Sequence, residues 1–393
     1  MYQPLVDLYT GEPVGYEALA RGPKESSLEL PDALFDAART AGLQSELEWE
    51  CQRSALQGAL DAGLAPGQAL FMNLEPGVSM AERPQLIMRL AQAAIERFPL
   101  FIELTERALI DDPAELLATV RRIRALGARV ALDDVGADPR SLALMPFLAP
   151  ELIKLDLRLV QGNPSRQIAE IVHAVGAEAE RTGALVLAEG IETEAHRRRA
   201  LELGARYGQG WLFGRPAELG RPGSAVTPIP QPRRDAREQQ RSPFEIVTEG
   251  RPTRRGNKRL LLALSRQIEA QAAGLGSLAV VLSNFQEASH FTPVTAARYS
   301  QMAQASALVG ALGVGLPERP VAGVRGAALD SADPLRGEWN VTVIGPHFAI
   351  AFAARELGDA GPDMDRRFDF AITYDRDLAI GAARAMMGRL AAL

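Results

Sequence analysis

The chain reads Val130-Ala131-Leu132-Asp133-Asp134, an apolar run that ends in two adjacent carboxylates. Uninterrupted apolar runs are typical of parallel strands that are covered on both faces, whereas half-exposed strands alternate apolar and polar residues. Helix-like segments separate these runs along residues 1–219, so the order of elements predicts a parallel α/β fold. The same transition from apolar to polar residues recurs at Glu17, Asn73, Glu103, Lys154 and Glu189.

We expect these strands to close into a modified TIM-type (β/α) barrel. The carboxyl ends of barrel strands open at one mouth, where polar residues that are distant in sequence meet. Five carboxylates and one amide in that mouth would repel one another unless cations lay among them. The donors are all hard oxygen atoms, without Cys or His, and such a set favours magnesium or manganese. The sequence therefore predicts a metal-dependent barrel enzyme.

The composition is that of an ordinary globular protein with more than one domain. The chain has 393 residues, 47% of them hydrophobic and 23% charged, which is too long for one average domain. No run approaches the roughly 20 apolar residues that span a bilayer, and no secretory signal is visible. One cysteine, Cys51, fits the reducing cytoplasm and is expected to be a small buried residue of a helix. The net charge of −6 gives no reason to expect a nucleic-acid partner.

We divide the chain into a barrel over residues 1–219, a linker over 220–242 and a second α/β domain over 243–393. The linker is rich in proline and scattered charge, a composition that buries too little apolar surface to fold. A phosphate-binding or membrane-binding patch is the less favoured interpretation of its arginines. In the second domain we predict helices over 260–273, 295–312 and 378–393, and strands over 278–282, 339–344, 347–352 and 368–373.

Seven motifs at the predicted strand ends, together with Tyr2-Gln3-Pro4, carry a resemblance to a known family. They resemble the EAL-domain family, the bacterial phosphodiesterases that open cyclic di-GMP. A single short motif would be weak evidence, but seven in the right order are specific. The motifs are Glu17-Ala18-Leu19-Ala20-Arg21, Asn73-Leu74-Glu75, Glu103-Leu104-Thr105-Glu106, Asp133-Asp134-Val135-Gly136, Ile153-Lys154-Leu155-Asp156, Ala188-Glu189-Gly190-Ile191-Glu192 and Gln209-Gly210-Trp211-Leu212-Phe213.

The resemblance implies a site with two divalent cations, Mg²⁺ or Mn²⁺. Asp133 would bridge the two ions, and Lys154 would either orient the attacking water or accept its proton. Glu189 and Glu106 are the further residues implied in catalysis. The implied metal ligands are Glu17, Asn73, Glu103, Asp133, Asp134 and Glu189. The implied substrate contacts and their supporting residues are Gln3, Leu19, Arg21, Asp156, Glu192 and Gln209.

Other interpretations remain open for several of these acids and for the protein as a whole. Glu75, Glu106 and Glu192 could be acids that stabilise helix N-termini, which is the favoured interpretation for Glu75. The family implies cyclic di-GMP as substrate and a second copy of the chain as partner. The main alternative is a receptor that binds cyclic di-GMP without cleaving it, and a third possibility is a protein-interaction scaffold. The complete set of metal ligands favours the enzyme.

The loop over residues 134–142 departs from the family pattern at its centre. Gly136, Ser141 and Leu142 match the pattern, whereas residues 137–140 do not. In the family this loop joins the metal site to the dimer interface, and a glutamate at the position of Glu106 holds it. Turnover rate and dimer geometry are therefore the properties that we expect this change to affect.

Residues 243–393 resemble a second family, the DICT sensory domain. The resemblance lies in Val280–Glu287 with Ala288, in His290-Phe291-Thr292 and in Arg298-Tyr299. It implies a sensor for an unknown small-molecule or protein ligand, which would bias the barrel through dimer packing. The aromatic residues of these segments either line a ligand pocket or fill the core between strand and helix, and we favour the core. They are Phe285, His290, Phe291 and Tyr299.

Overall fold

The computed structural model describes residues 1–74, 83–105, 112–220, 228–230, 241–359 and 362–390. Contacts group the chain into two units. The first is Met1–Ala108, Thr119–Ala137 and Ala149–Arg234. The second is Leu109–Ala118, Asp138–Leu148 and Asp235–Leu393. The two units are therefore interleaved along the chain, which the division of the sequence into consecutive domains did not anticipate.

The first unit contains a closed barrel of eight strands. Strands β2 to β8 pair in parallel in sequence order, whereas β1 pairs antiparallel with both β2 and β8. The predicted modified TIM-type barrel is confirmed, and the antiparallel first strand is the modification. The strands are β1 (Tyr2–Asp7), β2 (Pro13–Ala18), β3 (Ala69–Asn73), β4 (Leu100–Thr105), β5 (Arg129–Val135), β6 (Leu152–Leu155), β7 (Leu185–Ala188) and β8 (Tyr207–Gln209).

Helices follow most of the barrel strands. Side-chain caps start several of them: Ser165 accepts from the backbone N–H of Ile168, and Thr193 accepts from that of His196, which satisfies backbone donors that have no partner within the helix. The helices are α1 (Pro31–Ala41), α2 (Gln44–Ala62), α3 (Gln85–Ile95), α4 (Pro113–Ala125), α5 (Pro139–Leu148), α6 (Leu157–Gln161), α7 (Arg166–Thr182) and α8 (Glu194–Glu202). Of these, α5 and residues 113–118 of α4 are grouped with the second unit.

The barrel interior is packed with apolar side chains that include one from the predicted linker. Phe71 and Phe101 stack with ring centroids 4.5 Å apart, inside a cluster that also contains Ile229. Ile229 is 3% exposed, so the prediction of a fully solvated linker is wrong at this residue. The prolines on either side of Ile229 favour an extended backbone, and burial of one large aliphatic side chain holds this segment in the barrel core.

The second unit contains a seven-stranded mixed sheet in the order β12-β11-β10-β13-β14-β15-β9. Strands β10, β11 and β12 are parallel, and the other neighbours are antiparallel. The strands are β9 (Arg254–Asn257), β10 (Val280–Glu287), β11 (Leu308–Val314), β12 (Arg325–Ala328), β13 (Glu338–Ile344), β14 (Ala349–Glu356) and β15 (Arg367–Thr373). The helices are α9 (Pro243–Thr248), α10 (Lys258–Leu275), α11 (Pro293–Ala305) and α12 (Arg376–Met387).

Strands β9, β11 and β12 and helix α9 of the second unit were not predicted, and one predicted helix is only partly correct. The expected helix over 295–312 ends at Ala305, and strand β11 begins at Leu308. Residues 308–312 are buried and pair in parallel with β10. At Gly310 an added Cβ would lie 2.6 Å from the Leu282 side chain, so a larger residue would require that side chain to move. Sheet packing therefore overrides the helical appearance of the alanine-rich sequence.

No described helix of either unit combines the length and the apolar character that crossing a bilayer requires.

Candidate active site

The polar strand ends of the barrel meet around Lys154. This side chain on β6 is 1% exposed, and its Nζ atom lies 2.7 Å from Glu189 Oε1 and 2.8 Å from Glu103 Oε1. Asp133 Oδ1 lies 3.0 Å and Glu17 Oε2 3.6 Å from the same nitrogen. Four acidic residues, from β2, β4, β5 and the position just after β7, thus surround one ammonium group. We call Glu17, Glu103, Asp133 and Glu189 the carboxylate cluster.

Two amide side chains hold the Glu17 carboxylate in place. Asn73 Nδ2, at the end of β3, donates to Glu17 Oε1 at 3.0 Å. Gln209 Nε2, at the end of β8, donates to Glu17 Oε2 at 2.6 Å and to Gln3 Oε1 at 3.2 Å. Gln3 in turn donates to the Gly214 carbonyl at 3.1 Å. Side chains at the ends of β3 and β8, which are distant in the sequence, therefore hold the Glu17 carboxylate through both of its oxygens.

The carboxylate cluster carries more negative charge than its surroundings balance. Four carboxylates face the single ammonium of Lys154, which leaves an excess of three negative charges when all are ionised. Glu103 is fully buried, and its Oε2 atom has no hydrogen-bond partner among the described residues. A buried carboxylate oxygen without a donor is energetically costly. These oxygens therefore fit a role as ligands of hard divalent cations.

The pKa values of the cluster residues reflect this excess of carboxylates over ammonium groups. Burial, reinforced by the neighbouring Glu17 carboxylate, raises the pKa of Glu103 well above its usual value. Burial also raises the pKa of Glu189 to about 8, although Lys154 opposes the shift. For Lys154 itself, burial lowers the pKa, but the carboxylates of Asp133 and Glu103 outweigh burial and leave it well above the usual value. The ammonium is thus stably charged, while two of the acids resist ionisation.

Asp134 joins a second group of oxygen atoms beside the cluster. One oxygen from each of Asp133, Asp134 and Glu189 lies within 4.8 Å of the others. Consecutive side chains of a regular strand point to opposite faces, but the register of β5 against β6 is irregular between Leu132 and Val135. Asp134 has φ +56°, a conformation that costs a non-glycine residue about 1–3 kcal/mol. The irregularity lets adjacent carboxylates approach one point.

The remaining predicted residues occupy more varied positions. Arg21 is half-buried, and its Nη1 donates to the Ala20 carbonyl at 2.7 Å. Asp156 is buried, accepts from the Arg158 backbone N–H at 2.8 Å and pairs with the Arg158 guanidinium, so it caps α6. Glu192 is exposed ahead of α8. Glu75 and Glu106 lie outside the described residues.

A cavity of about 540 Å³ lies next to the ends of β2 and β3 in the first unit. Its lining includes Leu19 and Asn73, which the sequence predicted, and Glu48 and Gln52, which it did not. Glu48 is 3% exposed and accepts from Gln52 Nε2 at 2.6 Å. The spacing of this polar pair by four residues on α2 is the signal that could have indicated them. Cys51 also lines the cavity and is half-buried, so the prediction that it is buried is wrong.

The architecture and the site define the class of this protein: a closed barrel whose mouth gathers the acidic side chains of four strand ends around one lysine. The model of the EAL domain family matches residues 1–216, more than half of the chain, and the chain therefore belongs to this family. The model of the DICT family, described as a sensory domain in diguanylate cyclases and two-component systems, matches residues 245–357. Both resemblances inferred from the sequence motifs are confirmed.

Curated relatives align with the barrel part of the chain. The probable cyclic di-GMP phosphodiesterase PdeB of Escherichia coli K12 is 32% identical over 220 residues, which are 54% of this chain and 41% of PdeB. The cyclic di-GMP phosphodiesterase RocR of Pseudomonas aeruginosa is 32% identical over 221 residues, which are 55% of this chain and 56% of RocR. The chain thus spans about half the length of these two relatives.

A similarity to solved structures covers the same region. The BlrP1 manganese/cyclic di-GMP complex of Klebsiella pneumoniae at pH 6 is 30% identical, with a TM-score of 0.49. The match covers 56% of this chain and 56% of BlrP1.

Proposed function

We propose that the protein hydrolyses one phosphodiester bond of cyclic di-GMP and releases linear pGpG. Membership of the EAL family and the names of the curated relatives support the substrate and the reaction class. The observation that carries the proposal is the carboxylate cluster, in which four acids share the single ammonium of Lys154. A site built only for structure has no need of four buried acidic side chains around one ammonium.

The resemblance to the EAL family supplies the proposed ligand sets for two cations. Glu17, Asn73, Glu103 and Asp133 would hold one ion, and Asp133, Asp134 and Glu189 the other. Magnesium or manganese suits these oxygen donors. When bound, a pair of divalent cations lowers the pKa of an attacking water and stabilises the charge on the phosphate oxygens.

The chain's own side chains supply positioning and charge. Because its pKa is raised, Lys154 is a charged donor that can orient the attacking water through Nζ. The amides of Asn73 and Gln209 keep Glu17 from rotating. Arg21 follows Glu17 by four residues in the sequence. Its planar guanidinium suits bidentate contact with phosphate oxygens. Attack by water at phosphorus breaks one P–O3′ bond, so the product keeps a 5′-phosphate and gains a free 3′-hydroxyl.

The test is to incubate the purified protein with cyclic di-GMP and Mg²⁺ or Mn²⁺ and to quantify pGpG by chromatography. Glu17→Ala should abolish product formation, whereas Glu12→Ala should leave it unchanged because Glu12 is exposed outside the cluster. A chelator should stop turnover. Absence of pGpG, together with tight nucleotide binding that survives chelation, would instead establish the receptor function. Absence of any nucleotide binding would point to the scaffold.

We further propose that the second unit regulates the barrel. Support comes from chain connectivity: β5 carries Asp133 and Asp134, and the helix that follows, α5, is grouped with the second unit. Within that unit, Arg384 of α12 donates to the carbonyls of Phe147 and Pro146 at 2.8 and 3.1 Å. Because α5 directly follows β5 in the chain, a change in the packing of α5 can shift β5, which carries the proposed metal ligands.

A homodimer and a cytoplasmic location complete the proposal. The dimer is implied by the family, and the location rests on the single cysteine. Sedimentation equilibrium with and without substrate tests the first, and cell fractionation tests the second.

A further inference from the structure

A cavity of about 340 Å³ lies within the second unit, between α10, the end of β10 and the turn at Asp363–Asp365. Its volume falls within the range of about 300–1,000 Å³ that is usual for small-molecule sites. It is separate from the carboxylate cluster, whose residues all belong to the first unit. An inference about it therefore does not depend on what the barrel catalyses.

The walls of this cavity offer rigid apolar surface. Phe285 and Trp339 both line it and are half-buried. Phe285 packs edge-on against Phe291 and Tyr299, at centroid distances of 5.1 and 5.3 Å. Trp339 makes similar edge contacts with two core phenylalanines at 5.9 and 6.0 Å. Because core neighbours hold both rings, they can present fixed faces to a flat or aliphatic ligand.

A strained backbone shapes the same wall. Gln286 has φ +65° although it is not glycine, and the register of β10 against β11 is irregular between Asn284 and Glu287. In a regular strand Phe285 and Gln286 would point to opposite faces, yet both line the cavity. Gln286 Nε2 donates to Glu356 Oε2 at 3.0 Å. Bulges of this kind redirect side chains and are frequent beside functional sites.

Within the described part of the chain, the charged groups of the lining leave Arg266 without an acidic partner. Lys258, Arg266, Arg298 and Arg366 stand against two acids, Glu269 and Asp363. Both acids are already engaged: Glu269 accepts from Arg298 Nε at 2.7 Å and from the Tyr299 hydroxyl at 2.8 Å, and Asp363 accepts from Lys258 Nζ at 2.7 Å. Arg366 pairs with Glu356 at 2.8 Å. Arg266 is exposed and forms no ion pair with any other described residue.

We propose that this cavity binds a small organic carboxylate with an apolar body. The carboxylate pairs with the Arg266 guanidinium, whose planar fork matches the two carboxylate oxygens. The apolar body packs between Phe285 and Trp339. Neutral molecules of the same shape lack the ion pair and bind more weakly.

Calorimetric titration of the full chain tests the proposal with three probes: indole-3-acetate, 4-hydroxybenzoate and octanoate. At least one of them should bind saturably at one site per chain. The corresponding primary amide of the probe that binds should bind at least tenfold more weakly. Lack of saturable binding by all three acids overturns the proposal, and equal affinity of acid and amide overturns the role of the carboxylate.

Two substitutions in the cavity lining test where the probe binds. Arg266→Gln should weaken the probe at least tenfold, and Ser289→Trp should block the cavity, because Ser289 is an exposed part of its lining. Arg254→Gln is the matched control, since Arg254 is an exposed arginine of β9 outside the lining. Thermal unfolding shows that each variant is folded. If a folded Arg266→Gln and a folded Ser289→Trp bind the probe as tightly as the unaltered chain, the probe binds elsewhere and the assignment is wrong.

Discussion

Lys154 is the residue at which the charges of the barrel mouth converge. Its ammonium is buried and within ion-pair distance of four carboxylates. Removing one partner from a buried ionic network usually costs about 3–5 kcal/mol, because the charges left behind have no compensation. The same side chain therefore supports the folded barrel and also carries a role in the proposed hydrolysis.

Replacement of this lysine separates the two contributions. Lys154→Met keeps the length and apolar stem of the side chain but removes its charge, so we expect a lower melting temperature in the presence of a chelator. Manganese should raise the melting temperature of Lys154→Met by more than that of the unaltered protein, because the cations then supply the missing positive charge. Turnover should fall at least a hundredfold. Equal metal-induced shifts in the two proteins would contradict the ligand assignment.

Cys51 offers a pH-dependent test at the cavity beside the cluster. Burial, together with the neighbouring carboxylates of Glu48 and Glu50, raises the pKa of the Cys51 thiol to about 11. Only the thiolate is a good nucleophile, so alkylation by iodoacetamide should be slow at pH 7–8 and should accelerate as the pH rises towards 11. The rate can be followed by intact-mass spectrometry, with the unfolded chain as the reference. A folded-state rate at pH 8 equal to that of the unfolded chain would refute the raised pKa.

Ile229, which follows the last barrel strand in the sequence, contributes its side chain to the barrel core. Its side chain packs inside the barrel with Phe71, Phe101 and Leu5. We expect Ile229→Ala to lower the free energy of unfolding of the barrel by about 2–4 kcal/mol, the usual cost of removing a large aliphatic side chain from a core. Urea denaturation measures this change. Pro230→Ala is the control, because Pro230 is exposed; equal effects of the two substitutions would indicate that Ile229 adds little packing.

The elements differ in how far the sequence predicted them, and the reason is physical. Uninterrupted apolar runs are local signals, so strands such as β5 and β6 and the polar residues at their ends were predictable. The antiparallel pairing of β1, the end of α11 at Ala305 and the burial of Ile229 depend on contacts with distant segments, which local patterns do not contain.

The candidate site was also predictable only in part, because its geometry depends on contacts between distant segments. The residue types at the strand ends were recognisable, but the central position of Lys154 follows only from closure of the barrel. The carboxylates of Asp133 and Asp134 come together because the register of β5 against β6 is irregular. The cavity residues Glu48 and Gln52 lie on a helix that carries no family motif, and only their spacing distinguishes them.

At the scale of the whole molecule, α5 directly follows β5 in the chain and is grouped with the second unit. If the proposed regulation uses this connection, Arg384→Gln should change the turnover of cyclic di-GMP at saturating metal at least threefold, because it removes the charged donor to the Phe147 and Pro146 carbonyls. Steady-state kinetics measures the effect. Arg367→Gln, at an exposed arginine of β15 that pairs with Asp359, is the matched control. Unchanged kinetics in a folded Arg384→Gln would exclude this route.

The first strand of the barrel also lies beside the segment that follows the last strand. The backbone N–H of Tyr2 donates to the Ala217 carbonyl at 2.7 Å, and the Ala217 N–H donates back to Tyr2 at 3.0 Å. The beginning of β1 and the residues just after β8 are thus hydrogen-bonded neighbours. Such a segment can be inserted into, or exchanged between, unrelated chains without stretching a connection. Recombination can therefore join the same barrel to new neighbouring domains at little structural cost.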